Sequence, residues 1–156
     1  MTRWLTAEEQ VHWRSWLTAT SLLPDRLGRD LQETHGMTLA DYEILVRLSE
    51  SPDRRLRMSE LAGKTLASRS RLTHQIDRME RAGLVTREVC TDDGRGLNCV
   101  MTDKGWELLV AAAPDHVESV RRTIVDVLTP EEFRVLGEAS RKLVEALGAN
   151  VDLPPQ

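Results

Sequence analysis

Cysteine is nearly absent from this chain of 156 residues, with only Cys90 and Cys99 present. Two cysteines nine positions apart cannot make a disulfide framework and lack the clustered spacing of a structural zinc site. Aromatic residues are as scarce, at four Trp, one Tyr and one Phe. Long hydrophobic runs are missing too: the longest aliphatic stretch, residues 108–113, is far short of the ~20 apolar residues of a membrane-spanning helix. The first residues carry Trp4, Glu8 and Glu9 where a secretory signal has a basic start and an apolar stretch, so a cytoplasmic protein without membrane contact is expected. Catalytic patterns are also lacking. His12, His35, His74 and His116 are scattered with no metal-ligand pair at i, i+4. No glycine-rich phosphate loop occurs, and Ser70 near His74 has no third group to orient a base. Neither an enzyme nor a cofactor, metal included, is expected.

What is present suits one globular domain spanning 1–156, long enough to bury a core unaided. Charge is unevenly spread. The chain has 21 Lys+Arg against 25 Asp+Glu, a formal charge of -4, yet residues 54–95 hold ten basic and six acidic side chains. A positive middle between acidic ends fits either a nucleic-acid face or a solvated Arg-rich surface.

Thr6 and Glu9 have the capping-box spacing that starts a helix, and Trp13, Trp16, Leu17, Leu23, Leu27 and Leu31 follow as a helical stripe, with a kink expected at Pro24 and an end at Gly36. Thr38 is the next N-cap, with Leu39, Tyr42, Leu45, Val46 and Leu48 on a second helix. A short extended piece at 56–58 leads to a third helix over 59–65. Ser68 caps a fourth, whose inward residues are Leu72, Ile76 and Met79. From 84 to 101 apolar and polar residues alternate around a turn-rich centre, which predicts a two-stranded hairpin. Centring it between Gly94 and Arg95 sets Cys90 opposite Cys99. Thr102 caps a fifth helix bent at Pro114, and Thr129 to Glu132 is a capping box opening a sixth.

Short helices followed by a hairpin are the order of a winged helix-turn-helix, in which a late helix enters the major groove and the hairpin flanks it. The basic segment coincides with those elements. Here the chain resembles the MarR family of transcriptional regulators across roughly 5–147, in MSELA at 58–62, in SRLTHQIDRMERAGLV at 70–85, and in Asp93, Gly94 and Arg95 followed by Leu97, Met101, Thr102 and Gly105. The fold expected is mainly α with a small β-hairpin wing, its DNA-binding region at 38–101 and dimerisation helices at 5–36 and 102–148. The resemblance implies a homodimer whose first and last two helices interlock and whose two winged regions bind a near-palindromic operator. The long apolar stripes of the last helices support it, since a monomer would expose them.

On the fourth helix Ser68, Arg69, Ser70, Thr73, His74 and Asp77 lie off the apolar stripe and face the groove in this reading. Arg69 could bond a guanine edge, Thr73 a thymine methyl or a phosphate, and His74 a base or a phosphate, while Arg71 and Arg78 hold phosphates or stay solvated. Arg95 corresponds to the family's wing arginine, drawn into a narrow minor groove, with Asp93 positioning it. Gly94 stands where many relatives carry a second basic residue. The family's ligand sites lie between the dimerisation helices and the winged region. Trp13, Trp16 and Trp106 border that region, with Arg47, His12 or Arg14 as polar partners for a small aromatic or phenolic effector; the same tryptophans also suit a dimer core. The expected function is an effector-released repressor of double-stranded DNA, the alternative a winged-helix docking module without DNA binding. The cysteines are expected to be inert small hydrophobes.

Overall fold

The computed structural model describes residues 1–65, 68–90 and 96–148. Helix α1 spans Ala7–His35. Thr6 Oγ1 accepts the Glu9 N–H at 3.1 Å while the Glu9 carboxylate accepts the Thr6 N–H at 2.8 Å, the reciprocal cap its sequence predicts. Pro24 lies inside α1 without dividing it, and Gly36, at φ 66°, ends it in the left-handed region where glycine carries no steric penalty. Helix α2, Leu39–Ser49, starts on a second capping box between Thr38 and Asp41. A 3-10 turn at Pro52–Arg54 leads into β1, Arg55–Arg57. Then come α3, Met58–Lys64, and α4, Arg69–Arg81, followed by β2, Val85–Val89, and β3, Leu97–Met101. Helix α5, Asp103–Val120, runs into a π-helical turn at Arg121–Val125, where the Asp126 N–H reaches back five residues to the Arg121 carbonyl at 2.8 Å. Helix α6, Pro130–Ala146, opens on the Thr129 to Glu132 capping box.

The sheet has three strands, antiparallel, in the order β1-β3-β2. The expected hairpin is present as β2 and β3, and the extended piece before α3 adds a third strand, Leu56 opposite Cys99, which ties that helix's start to the wing. The expected pairing of the cysteines is corrected. Arg87 lies opposite Cys99, and the Cys90 N–H donates to the Gly96 carbonyl at 2.9 Å, so the register is three residues away from a hairpin centred at 94 and 95. Cys99 is fully buried and its thiol is pushed up to about 12 by that burial. Such a thiol carries almost no thiolate at neutral pH, which supports the inert reading.

The core collects Leu31 of α1, Ile44, Leu45 and Leu48 of α2, Leu61 of α3, Leu72, Ile76 and Met79 of α4, Val85 and Cys99 of the sheet, and Leu109 and Ala112 of α5. Gly105 explains how α5 closes on it. Thr102 hydrogen-bonds the carbonyls of Gly83 and Leu84 at 2.6 and 3.1 Å, which draws the first turn of α5 onto the turn between α4 and β2. A Cβ at Gly105 would overlap the Leu84 carbonyl oxygen. A second seam joins α1 to α5 near the π-helical turn: Asp30 accepts from Ser119 Oγ, from Arg26 at 2.9 Å and from Arg122 at 3.0 Å. The Ser119 hydroxyl and then the two guanidiniums hold its carboxyl below the usual carboxylate range. Leu31 is the one buried residue of α1, and α6 has none.

Candidate nucleic-acid interface

Ser68 sits at the start of α4 in extended backbone, its Oγ accepting the Arg71 N–H at 3.3 Å. This cap frees the first turn of α4 to point outward, because the helix is held from behind by Leu72, Ile76 and Met79. Ser68, Arg69, Ser70, Arg71, Thr73 and His74 are all exposed. Thr73 Oγ1 donates to the Arg69 carbonyl at 2.8 Å. Arg69 and Thr73 also wall a cleft with Arg57, Arg87 and Leu97, so the start of α4 and the base of the wing share one surface. Asp93 and Arg95, expected at the wing tip, lie outside the described residues.

Two other α4 residues, Asp77 expected to face the groove and Arg78 expected to hold a phosphate or stay solvated, pair within the protein. Arg78 Nη2 donates to Asp41 Oδ1 at 2.5 Å, joined there by Gln75 at 3.3 Å. Asp77 and Glu80 both receive Arg87 of β2, the Glu80 contact at 2.9 Å. None of these long-range pairs has a spacing that a sequence pattern could display. The Thr38 to Asp41 capping-box interval was the single available signal, and it marks only the local half of what Asp41 does.

A separate cleft of about 450 Å³ lies between α1, α2 and α5, lined by Leu23, Leu27, Tyr42, Glu43, Val46, Arg47, Lys64 and His116 among others. The Tyr42 and His116 rings meet at 4.3 Å between centroids. Burial holds His116 below its ordinary value and pushes Tyr42 and Glu43 up, with Arg47 opposing the shift of Glu43. His116 Nδ1 is buried and has no hydrogen-bond partner among the described residues. Of the residues expected around an effector, Arg47 lines this cleft. Trp16 lines instead an apolar groove of about 640 Å³ formed by α1, the π-helical turn and α6. Trp13 is exposed on α1, and Trp106 lies under the Arg54 guanidinium, 4.0 Å from its ring centroid. His12 and Arg14 face solvent on α1, the first 3.8 Å from Glu8 and the second 3.4 Å from Gln10. Tyr42, Glu43 and His116 were not foreseen as cleft residues, because each also reads as an ordinary core or surface position of its helix.

Residues 37–97 match the profile of the MarR family. The homoprotocatechuate degradative operon repressor of Escherichia coli is 31% identical over 120 residues, 77% of this chain and 78% of that protein. The chain belongs to the MarR family. Two solved MarR family transcriptional regulators of Streptomyces coelicolor are similar along nearly the whole length. AbsC shares 51% identity with a TM-score of 0.90, over 94% of this chain and 98% of its own. Sco3205, solved in complex with DNA, shares 49% with a TM-score of 0.92, over 99% and 97%. As a MarR family member the chain is a DNA-binding transcription regulator with a winged-helix fold, and these relatives are transcriptional regulators rather than enzymes. No helix among the described residues is long and apolar enough to cross a membrane.

Proposed function

We propose that this regulator is a cytoplasmic homodimer that represses transcription from a near-palindromic operator and is released by a small aromatic or phenolic effector. The observation that carries the DNA-reading part is the start of α4, where six polar side chains, Ser68 to Arg71 with Thr73 and His74, stand exposed beside the cleft at the wing base. Arg69 reads a base edge in this proposal, Thr73 and His74 a base or a phosphate, and Arg71 a phosphate, with Arg95 in the minor groove and Asp93 orienting it. Dimerisation is supported by the apolar groove and by Val11, Leu17, Leu22, Val127, Phe133 and Leu143, large side chains left exposed on α1 and around α6; Trp13 and Trp16 join that interface. The effector's seat is the cleft of Tyr42, His116 and Arg47, whose paired rings form one wall for an aromatic body to pack against and whose cation meets a phenolate or carboxylate. Repression is supported by the kinship with an operon repressor.

A duplex recovered from random-sequence DNA by selection tests this reading. The expected site has two half-sites about 10 bp apart, affinity falls steeply as salt rises, and Arg69→Ala weakens specific binding by roughly 1–3 kcal/mol. A docking module would give no salt-dependent DNA binding. For the effector, phenols and aromatic carboxylates are titrated while tryptophan fluorescence and DNA release are followed together. Fluorescence changes without release would leave a constitutive binder.

A further inference from the structure

An apolar stripe alone does not fix how a recognition helix is rolled about its own axis, because hydrophobic contact has no direction. Hydrogen bonds between charged groups do. On α4 the stripe of Ile76 and Met79 is flanked on one side by Gln75 and Arg78 and on the other by Asp77 and Glu80, each pair about 100° round the helix from the stripe. Both flanks are gripped. Arg87 of β2 holds Asp77 and Glu80, and Asp41 of α2 holds Gln75 and Arg78. Asp41 is 6% exposed, and its two oxygens are divided between tasks: Oδ2 accepts the Thr38 N–H at 3.1 Å to cap α2, and Oδ1 faces α4. A roll of 20° would carry a side-chain tip at the helix surface, at a radius of roughly 6 Å, about 2 Å sideways, enough to break a bidentate contact with a base edge.

We propose that Asp41 is a positioning residue for sequence-specific DNA binding, acting through Arg78 and Gln75 to set the roll of α4 against the opposing grip of Arg87. Arg78, although on the DNA-binding helix, then serves as the receiver of that carboxylate and not as a phosphate ligand. The test uses full-length protein, a duplex selected from random DNA by the unaltered chain, and a scrambled duplex, with Asp41→Asn, Arg78→Gln and the double variant compared at several salt concentrations. Each single change should lower affinity for the selected duplex about tenfold, the low end for loss of a base contact. The double variant should lose no more than the worse single, since one tether is broken in all three. Binding to the scrambled duplex and the salt slope should stay as they were. Unchanged specific affinity in folded Asp41→Asn, additive losses, or a shallower salt slope in Arg78→Gln, the mark of a lost phosphate contact, would each overturn the proposal. Should Asp41→Asn lose its cooperative thermal transition, Arg78→Gln alone decides, because it leaves the α2 cap intact: a reduced ratio of specific to scrambled binding at unchanged salt slope supports the proposal, and an unchanged ratio rejects it.

Discussion

The winged half of the molecule and its helical arms are built to opposite rules. From Met37 to Ala112 each helix and strand sends side chains into one closed core, and Leu45, Leu48, Leu61 and Ile76 are wholly buried. Along α6 and along α1 before Leu31 nothing is buried, although Val11, Leu17, Phe133 and Leu143 are as apolar as the core. Hydrophobic composition does not distinguish the two halves; what distinguishes them is whether the chain covers its own apolar surface. One half covers its own apolar side chains, and the other leaves them uncovered by the single chain, which is the observation behind the proposed dimer.

The contrast can be broken at either end. Leu45→Ala, in the closed half, should cost about 2–5 kcal/mol in chemical denaturation, the range for an uncollapsed core cavity; a loss under 1 kcal/mol would mean that this half is looser than its burial indicates. Leu22→Asp, in the apolar groove, should leave the winged half folded by circular dichroism while sedimentation reports a monomer. DNA affinity should then fall roughly a hundredfold as the second half-site is lost. A variant that stayed dimeric would remove the groove from the interface. Inside the closed half, where α5 meets the turn between α4 and β2, Gly105→Ala forces a methyl against the Leu84 carbonyl and should destabilise by about 1–3 kcal/mol, read as a lower thermal midpoint with DNA contacts untouched. The smallest effect is on acid sensitivity. Burial holds His116 below its ordinary value, so folding favours the neutral ring, and the stability this brings is present above pH ~6.5 and lost as pH falls from there toward the folded value. Melting at pH 7.5 and 5.5 should show a smaller drop for His116→Phe than for the unaltered chain; equal drops would assign the acid sensitivity to other groups.

Sequence patterns expose this fold wherever a short-range rule governs it. Thr6, Thr38, Thr102 and Thr129 all cap helices as their spacing predicts, and the stripe of Leu72, Ile76 and Met79 is buried as its period requires. The misses are long-range. Strand β1 has three residues, too few for alternation to register, and its pairing with β3 depends on the chain returning after some forty positions. The hairpin register could not be found from glycine positions, because the central turn need not be symmetric about them; the difference of three residues separates the two cysteines. In the candidate interface, the exposed start of α4 was legible from its phase against the apolar stripe, whereas the engagement of Arg78 by Asp41 and of Arg87 by Asp77 and Glu80 joins residues without any common period. Trp106 looked like a ligand-site aromatic because aromatics are rare here, yet it carries Arg54 instead.

Helix α1 is a single rod of 29 residues, about 43 Å from end to end at 1.5 Å per residue. Its foot is set in the winged core at Leu31, clamped beside Asp30, while its head stands clear of that core. Mechanically this is a lever with a fixed fulcrum: one degree of rotation at the foot displaces the head by roughly 0.7 Å over that length. In the proposed dimer the heads are joined, so the gearing runs in reverse, and ångström-scale adjustments where the arms meet become fine angular steps of the reading heads. Pro24, which deprives the shaft of one backbone hydrogen bond near its middle, sits on the wall of the Tyr42 and His116 cleft.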